Sequence, residues 1–298
     1  MDPAASAKEA ADSIGWKLTI VDGKYNEGGA WSSGVEQAVA AGADVIIPVG
    51  IGCETIQGPL QRARDAGIVV LDLGATDCAS RLFTAEIPFS KYATNGFEFT
   101  ERIGAFGAAY AINTLGSNAK VIQQVGRAEP FLQAVDKGFN TMFDKCGSCE
   151  VVDTVEYGST DLTPNGPWIN AFQAALVQNP QANGTYLQWD VMGTDLGGVK
   201  AVSQVGSSAQ VFGGQGTSAN LDLIRKGKVA AATAAWDLKW WGYTAIDTAN
   251  RVLNGEAPVE QGLDFVVIDK GHNMPAPGNS YSSSIDWKSA YRQAWGIS

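Results

Sequence analysis

Apolar residues fall along this chain in two rhythms. Short unbroken runs, such as Val45-Ile46-Ile47-Pro48-Val49 and Ile68-Val69-Val70-Leu71, alternate with longer stretches in which apolar positions recur every three or four residues. The first rhythm marks a strand buried on both faces, the second an amphipathic helix. The spacing predicts helices over 3–14, 31–41, 54–66 and 92–115, and strands over 17–21, 45–49 and 68–72. Gly42 and Gly67 each stand between a helix and the strand that follows, where a left-handed residue stops a helix at little cost.

The series then restarts. Strands are predicted over 119–125, 150–155, 184–189, 210–213, 229–235 and 265–268, separated by helices over 131–144, 168–178, 196–205, 221–226 and 240–253, with a last helix over 287–295. Short apolar strands alternating with amphipathic helices imply an α/β fold of parallel sheets covered on both faces. At 298 residues the chain is too long for one ordinary domain, and two doubly wound lobes fit it better.

Charge narrows the function. Thirty-one acidic residues outweigh 21 basic ones, a net charge of −10, which speaks against nucleic acid as a partner because that surface must be basic. No apolar run is long enough to span a bilayer. His272 is the lone histidine, and neither a Gly-x-Ser-x-Gly elbow nor a Gly-x-x-x-x-Gly-Lys phosphate loop is present. The segment Gly50-Ile51-Gly52 lacks the third glycine of a dinucleotide fingerprint. No catalytic residue, metal site or cofactor is therefore expected, and the chain reads as a binder and not an enzyme.

The four cysteines fall in two sets. Cys53 and Cys78 follow consecutive parallel strands whose end loops should meet, so a disulfide between them is expected. Cys146-Gly147-Ser148-Cys149 ends a helix and precedes a strand, the reverse of the arrangement that activates a redox CxxC, so a small structural disulfide is expected there.

Several segments carry a resemblance. They are Ala41-Gly42-Ala43-Asp44-Val45-Ile46-Ile47, Asp65-Ala66-Gly67-Ile68-Val69-Val70-Leu71-Asp72, Asn118-Ala119-Lys120-Val121-Ile122, Trp189-Asp190-Val191-Met192-Gly193 and 225–233, with the helix ending at Asn254-Gly255-Glu256. In order and spacing they resemble the ribose-type periplasmic binding proteins of ABC importers, over nearly the whole chain. The resemblance implies a type I fold: two lobes, 1–90 plus 237–263 and 91–236 plus 264–298, joined by three crossing strands near 87–91, 234–237 and 263–267. It implies a small sugar or polyol bound in the inter-lobe cleft with hinge closure, a membrane permease as partner, and a periplasmic or cell-surface location. The family begins with a strand that this sequence lacks. An upstream strand and leader, able to carry a lipid anchor, are therefore expected before Met1. A sensory or transcription regulator's effector domain shares the fold and is the alternative, although residues 1–16 hold no basic DNA-binding segment.

The resemblance also places the ligand-binding residues. Asp72 keeps the acceptor of the family's Asp-Arg pair, while Leu73 replaces the guanidinium. Trp189-Asp190 stands for the family's Asn-Asp, Gln215 for its Asp, Trp236 for a Gln at a crossing, and Gln133 for an Arg. Two indoles, two amides and two carboxyl groups suit a neutral, moderately apolar ligand, a sugar or a small aromatic compound. Packing is the expected role of Trp16, Trp31, Trp168, Trp241, Trp287 and Trp295.

Overall fold

The computed structural model describes every residue except Met1, Ala128 and Ser298. In chain order the helices are α1 (Asp2–Ser13), α2 (Ala30–Ala40), α3 (Gln57–Asp65), α4 (Gly96–Leu115), α5 (Pro130–Phe143), α6 (Pro167–Gln178), α7 (Asp190–Gly193), α8 (Gly198–Gln204), α9 (Ser218–Arg225), α10 (Leu238–Leu253) and α11 (Trp287–Ala294). The strands are β1 (Val45–Ile46), β2 (Val69–Val70), β3 (Lys120–Gly126), β4 (Glu150–Tyr157), β5 (Gly184–Tyr186), β6 (Gln210–Phe212), β7 (Ala232–Ala235) and β8 (Val266–Ile268). Two compact units result: Met1–Phe99 with Asp237–Asp264 and Ser282–Ser298, and Thr100–Trp236 with Phe265–Tyr281. The segment 282–298 thus packs in the first unit, against the expectation that it would complete the second.

In the first unit β1 and β2 pair in parallel, and single bridges extend the pairing to Val49–Leu73 and Leu71–Ala85. Val35, Ile56, Leu60, Ala63 and Val70 form the core between this sheet and the helices α2 and α3. The segment 17–21, expected as a strand, forms none. Its sequence favours extension, but a strand exists only where a neighbour accepts its backbone groups, and Ile20 and Val21 are exposed. On another side of this unit α1 packs closely on α10. Gly242 permits that approach, since a Cβ there would collide with Ser6, Pro3 and Ala7 of α1.

The C-terminal segment is tied to α10 by one carboxylate. Asp237 caps α10, accepting from the Lys239 and Trp240 N–H groups at 3.0 and 3.1 Å. Its other oxygen accepts from Ser282 Oγ, the Ser283 N–H and Trp287 Nε1. Trp240 stacks on Trp287 and Tyr243 on Trp295, so packing is the observed role of these indoles. That burial explains why 282–298 belongs here.

The second unit is built on a four-stranded parallel sheet in the order β4-β3-β5-β6. Register fixes its faces: Gln123 lies beside Tyr186, and Tyr186 beside Phe212. These rings meet Phe139 of α5 and Tyr110 of α4 on one face. Ile122, Leu187 and Val211 face the opposite way, into a core with Trp168 and Phe172 of α6, Val199 and Val202 of α8, and Leu221 of α9. β7 and β8 pair antiparallel, while Ala230 and Ala231 still bond to the outer edge of β6. No helix among the described residues is long and apolar enough to cross a membrane.

Candidate functional site

In an open parallel sheet, loops at the carboxyl ends of the strands gather the functional side chains. Four of the expected residues lie at that end of the second unit. Trp189 and Asp190 follow β5, Gln215 follows β6, and Gln133 lies in the first turns of α5, after β3.

Asp190 organises this face. It is buried, and its Oδ1 accepts from the Gln215 N–H at 2.7 Å and from Asn220 Nδ2 at 2.6 Å. Its Oδ2 accepts from the Thr217 N–H at 2.8 Å, and the Asp190 N–H itself donates to Gln215 Oε1 at 3.4 Å. Burial raises its pKa, and the hydrogen bonds from Thr217, Gln215 and Asn220 oppose that rise. Gly214, at φ +99°, lets the loop pass: a Cβ there would collide with Asp190 Oδ1 and Asn220 Nδ2. Asp190 and Gln215 are therefore in direct contact, and the carboxyl group holds the loop with three of its roughly four acceptor positions.

Trp189 is half-buried, and its ring N–H donates to Tyr157 Oη at 2.7 Å. Gln133 is exposed and donates through Nε2 to the Arg127 carbonyl at 3.3 Å. Arg127 pairs with Asp161, and its N–H donates to the Tyr157 carbonyl, so this amide sits on the loop beside β4. Trp236, the last residue before Asp237 and α10, is buried, with only 1% of it exposed, and its ring is T-shaped to Phe265 with centroids 5.5 Å apart.

The first unit contributes Asp72, beyond β2. It is wholly buried, and its Oδ1 accepts from the Ile87 N–H at 3.2 Å. Burial is the main cause that pushes its pKa up to about 8, with Glu86 adding to the rise and the Ile87 N–H opposing it. Beside it the loops after β1 and β2 are joined by the Cys53–Cys78 disulfide, Cα to Cα 5.2 Å. The second expected bond, Cys146–Cys149, is present too.

A family model described as the periplasmic binding protein domain matches residues 1–257. The chain belongs to the periplasmic binding protein family. The ribose import binding protein of Haemophilus influenzae is 25% identical over 270 residues, covering 84% of this chain and 80% of that protein. Among solved structures, the glucose-galactose binding protein of Geobacillus stearothermophilus matches with a TM-score of 0.76 at 18% identity, over 91% of this chain and 92% of that one. The myo-inositol binding protein of Caulobacter gives 0.73 at 16% identity, over 93% and 90%. These likenesses carry the type I α/β fold.

Sequence reasoning passed over several residues of this periplasmic binding protein's strand-end face. Tyr157 ends β4, and Gln188 precedes Trp189 directly; both are wholly buried. Asn220 and Thr217, in and before the first turn of α9, hold Asp190. One signal was available for Gln188: a polar residue in the otherwise buried run Tyr186-Leu187-Gln188 must find a partner.

Proposed function

We propose that this protein is the extracytoplasmic solute-binding component of an ABC importer, and that its ligand is a small neutral sugar or polyol. One observation carries the ligand class. Trp189, Asp190 and Gln215 stand together at the carboxyl ends of two neighbouring parallel strands, in a chain matched to the periplasmic binding family over residues 1–257. An indole packs its face on sugar C–H groups, while amide and carboxyl groups fix hydroxyls. The three residues carry no cation, which suits a neutral ligand.

Asp72 joins the reading as a hydroxyl acceptor from the first unit, and Gln133 as an amide in the first turns of α5. Ligand capture is by hinge closure, and delivery is to a membrane permease. The protein acts as a carrier and turns over no substrate. Two disulfides suit an oxidising, extracytoplasmic compartment. Relatives whose names mention ribose, glucose-galactose and myo-inositol support the ligand class.

The test is a thermal-shift and calorimetric screen of D-ribose, D-galactose, D-allose, D-arabinose, myo-inositol and glycerol. A true ligand at a hundredfold excess over Kd should stabilise the fold by about 2.7 kcal/mol. Trp189→Ala should weaken binding by roughly 1–3 kcal/mol, the scale of a lost aromatic contact. Small-angle scattering should show compaction with ligand. If no sugar or polyol binds, the ligand class is wrong.

A further inference from the structure

Trp189 is tethered through its ring nitrogen. Its Nε1–H donates to Tyr157 Oη at 2.7 Å, and the same oxygen receives Gln188 Nε2 at 2.7 Å. Gln188 Nε2 also reaches the Gln124 carbonyl at 3.5 Å, and Gln124 Oε1 accepts from Trp168 Nε1 at 2.8 Å. Tyr157, Gln188 and Gln124 are wholly buried, at the ends of the adjacent strands β4, β5 and β3. Trp189 alone among these five members of the network remains half-buried, packed against the core's edge.

We infer that Tyr157 is a positioning residue for Trp189, fixing the indole so that it meets ligand with its carbon face and never as a hydrogen-bond donor. This rests on the reading of Trp189 as a ligand contact. The chemistry is direct. An indole has a single donor and no acceptor, and Tyr157 occupies that donor. A tryptophan held only by packing can turn about its outer side-chain torsion, which is broad; one held also at Nε1 cannot turn without breaking a buried hydrogen bond. Burial pushes the Tyr157 hydroxyl well above the usual phenol range, so it remains neutral and the tether does not change with pH. A pre-set ring face needs no ordering when ligand arrives. The selectivity that follows is for ligands with a continuous C–H face, such as a pyranose, over acyclic polyols.

The full-length protein with ¹⁵N-labelled tryptophan provides the test. Trp189→Phe assigns the Trp189 indole N–H resonance by its loss. Tyr157→Phe keeps the ring that fills the core and removes only the hydroxyl. It should shift the Trp189 resonance and speed its exchange with solvent while the other indole signals hold. Titration with D-galactose and with glycerol then reads function. Tyr157→Phe should weaken D-galactose binding by roughly threefold to tenfold, the scale of an aromatic contact, and leave glycerol unchanged. In a Trp189→Phe background the same change should have no further effect on D-galactose. An unmoved Trp189 resonance overturns the inference, as does an equal loss of both ligands, which would mark Tyr157 as merely structural. If D-galactose and glycerol leave the Trp189 resonance of the unaltered protein in place, the reading of Trp189 as a ligand contact fails instead, and the tether is judged on the resonance alone.

Discussion

Asp72 and Asp190 occupy equivalent places, each just beyond a buried parallel strand, yet their surroundings differ. Asp190 accepts from three donors, whereas Asp72 accepts from the backbone N–H groups of Ile87 and Ala75. Their places were legible in sequence because an acidic residue closing an apolar run has few other uses. The degree of satisfaction was not, because the donors to Asp190 come from 25 to 30 residues away. Replacing Asp190 by Ala should cost about 2–3 kcal/mol in urea unfolding, since buried donors lose their acceptor. Asp72 makes a pH prediction. Its pKa rises from about 4 in the unfolded chain to about 8 in the fold, so the native state binds the proton more tightly. Its contribution to stability is therefore full below about pH 4 and is lost as pH rises toward 8. Asp136, pushed up to about 7 mainly by burial, acts in the same direction. Unfolding free energy should fall between pH 5 and pH 8, and Asp72→Asn should flatten that fall. An unaltered slope in the variant would refute the assignment.

At the scale of elements, helices were more legible than strands. A helix satisfies its backbone internally, so apolar spacing and a cap suffice, and α1, α5, α6 and α10 all begin and end within a few residues of their expected bounds. A strand depends on a neighbour that the local sequence does not contain. Residues 17–21 have a strand's composition and no ladder, and 45–49 yields only two residues of β1 with one further bridge. The same dependence hid the place of α11, whose aromatic residues meet α10 some 50 residues earlier. Asp237 is the clasp of that pairing. Asp237→Ala should destabilise the protein by about 3 kcal/mol, combining a lost helix cap with buried donors left unpaired. Limited proteolysis should then cut within 282–298 first, and equal resistance in the variant would show that the aromatic stack suffices alone. Gly242→Ala tests the other face of α10. Alanine is the better helix former by about 1 kcal/mol, yet its Cβ would strike α1, so the variant should be less stable than the parent.

For the whole molecule, the two-series plan was legible because unbroken apolar runs and their helices repeat along the entire chain. The Cys53–Cys78 bond followed from that plan, since consecutive parallel strands bring their end loops together. This bond matters more than its count suggests. The first unit's sheet has strands of only two residues, and both cysteines lie inside its core with Ile56, Leu60 and Val70. A small core with short ladders depends on covalent closure more than a large one does. The bond spans 25 residues and Cys146–Cys149 spans three, so chain-entropy arguments give about 3 kcal/mol for the first and no more than about 2 for the second. Cys53→Ala with Cys78→Ala should therefore lower the urea midpoint well below that of the pair Cys146→Ala and Cys149→Ala. Reductant should bring the parent close to the first variant. If instead the double variant at 53 and 78 unfolds at the parent's midpoint, the first unit is held by packing alone, and the dependence on an oxidising compartment falls with it.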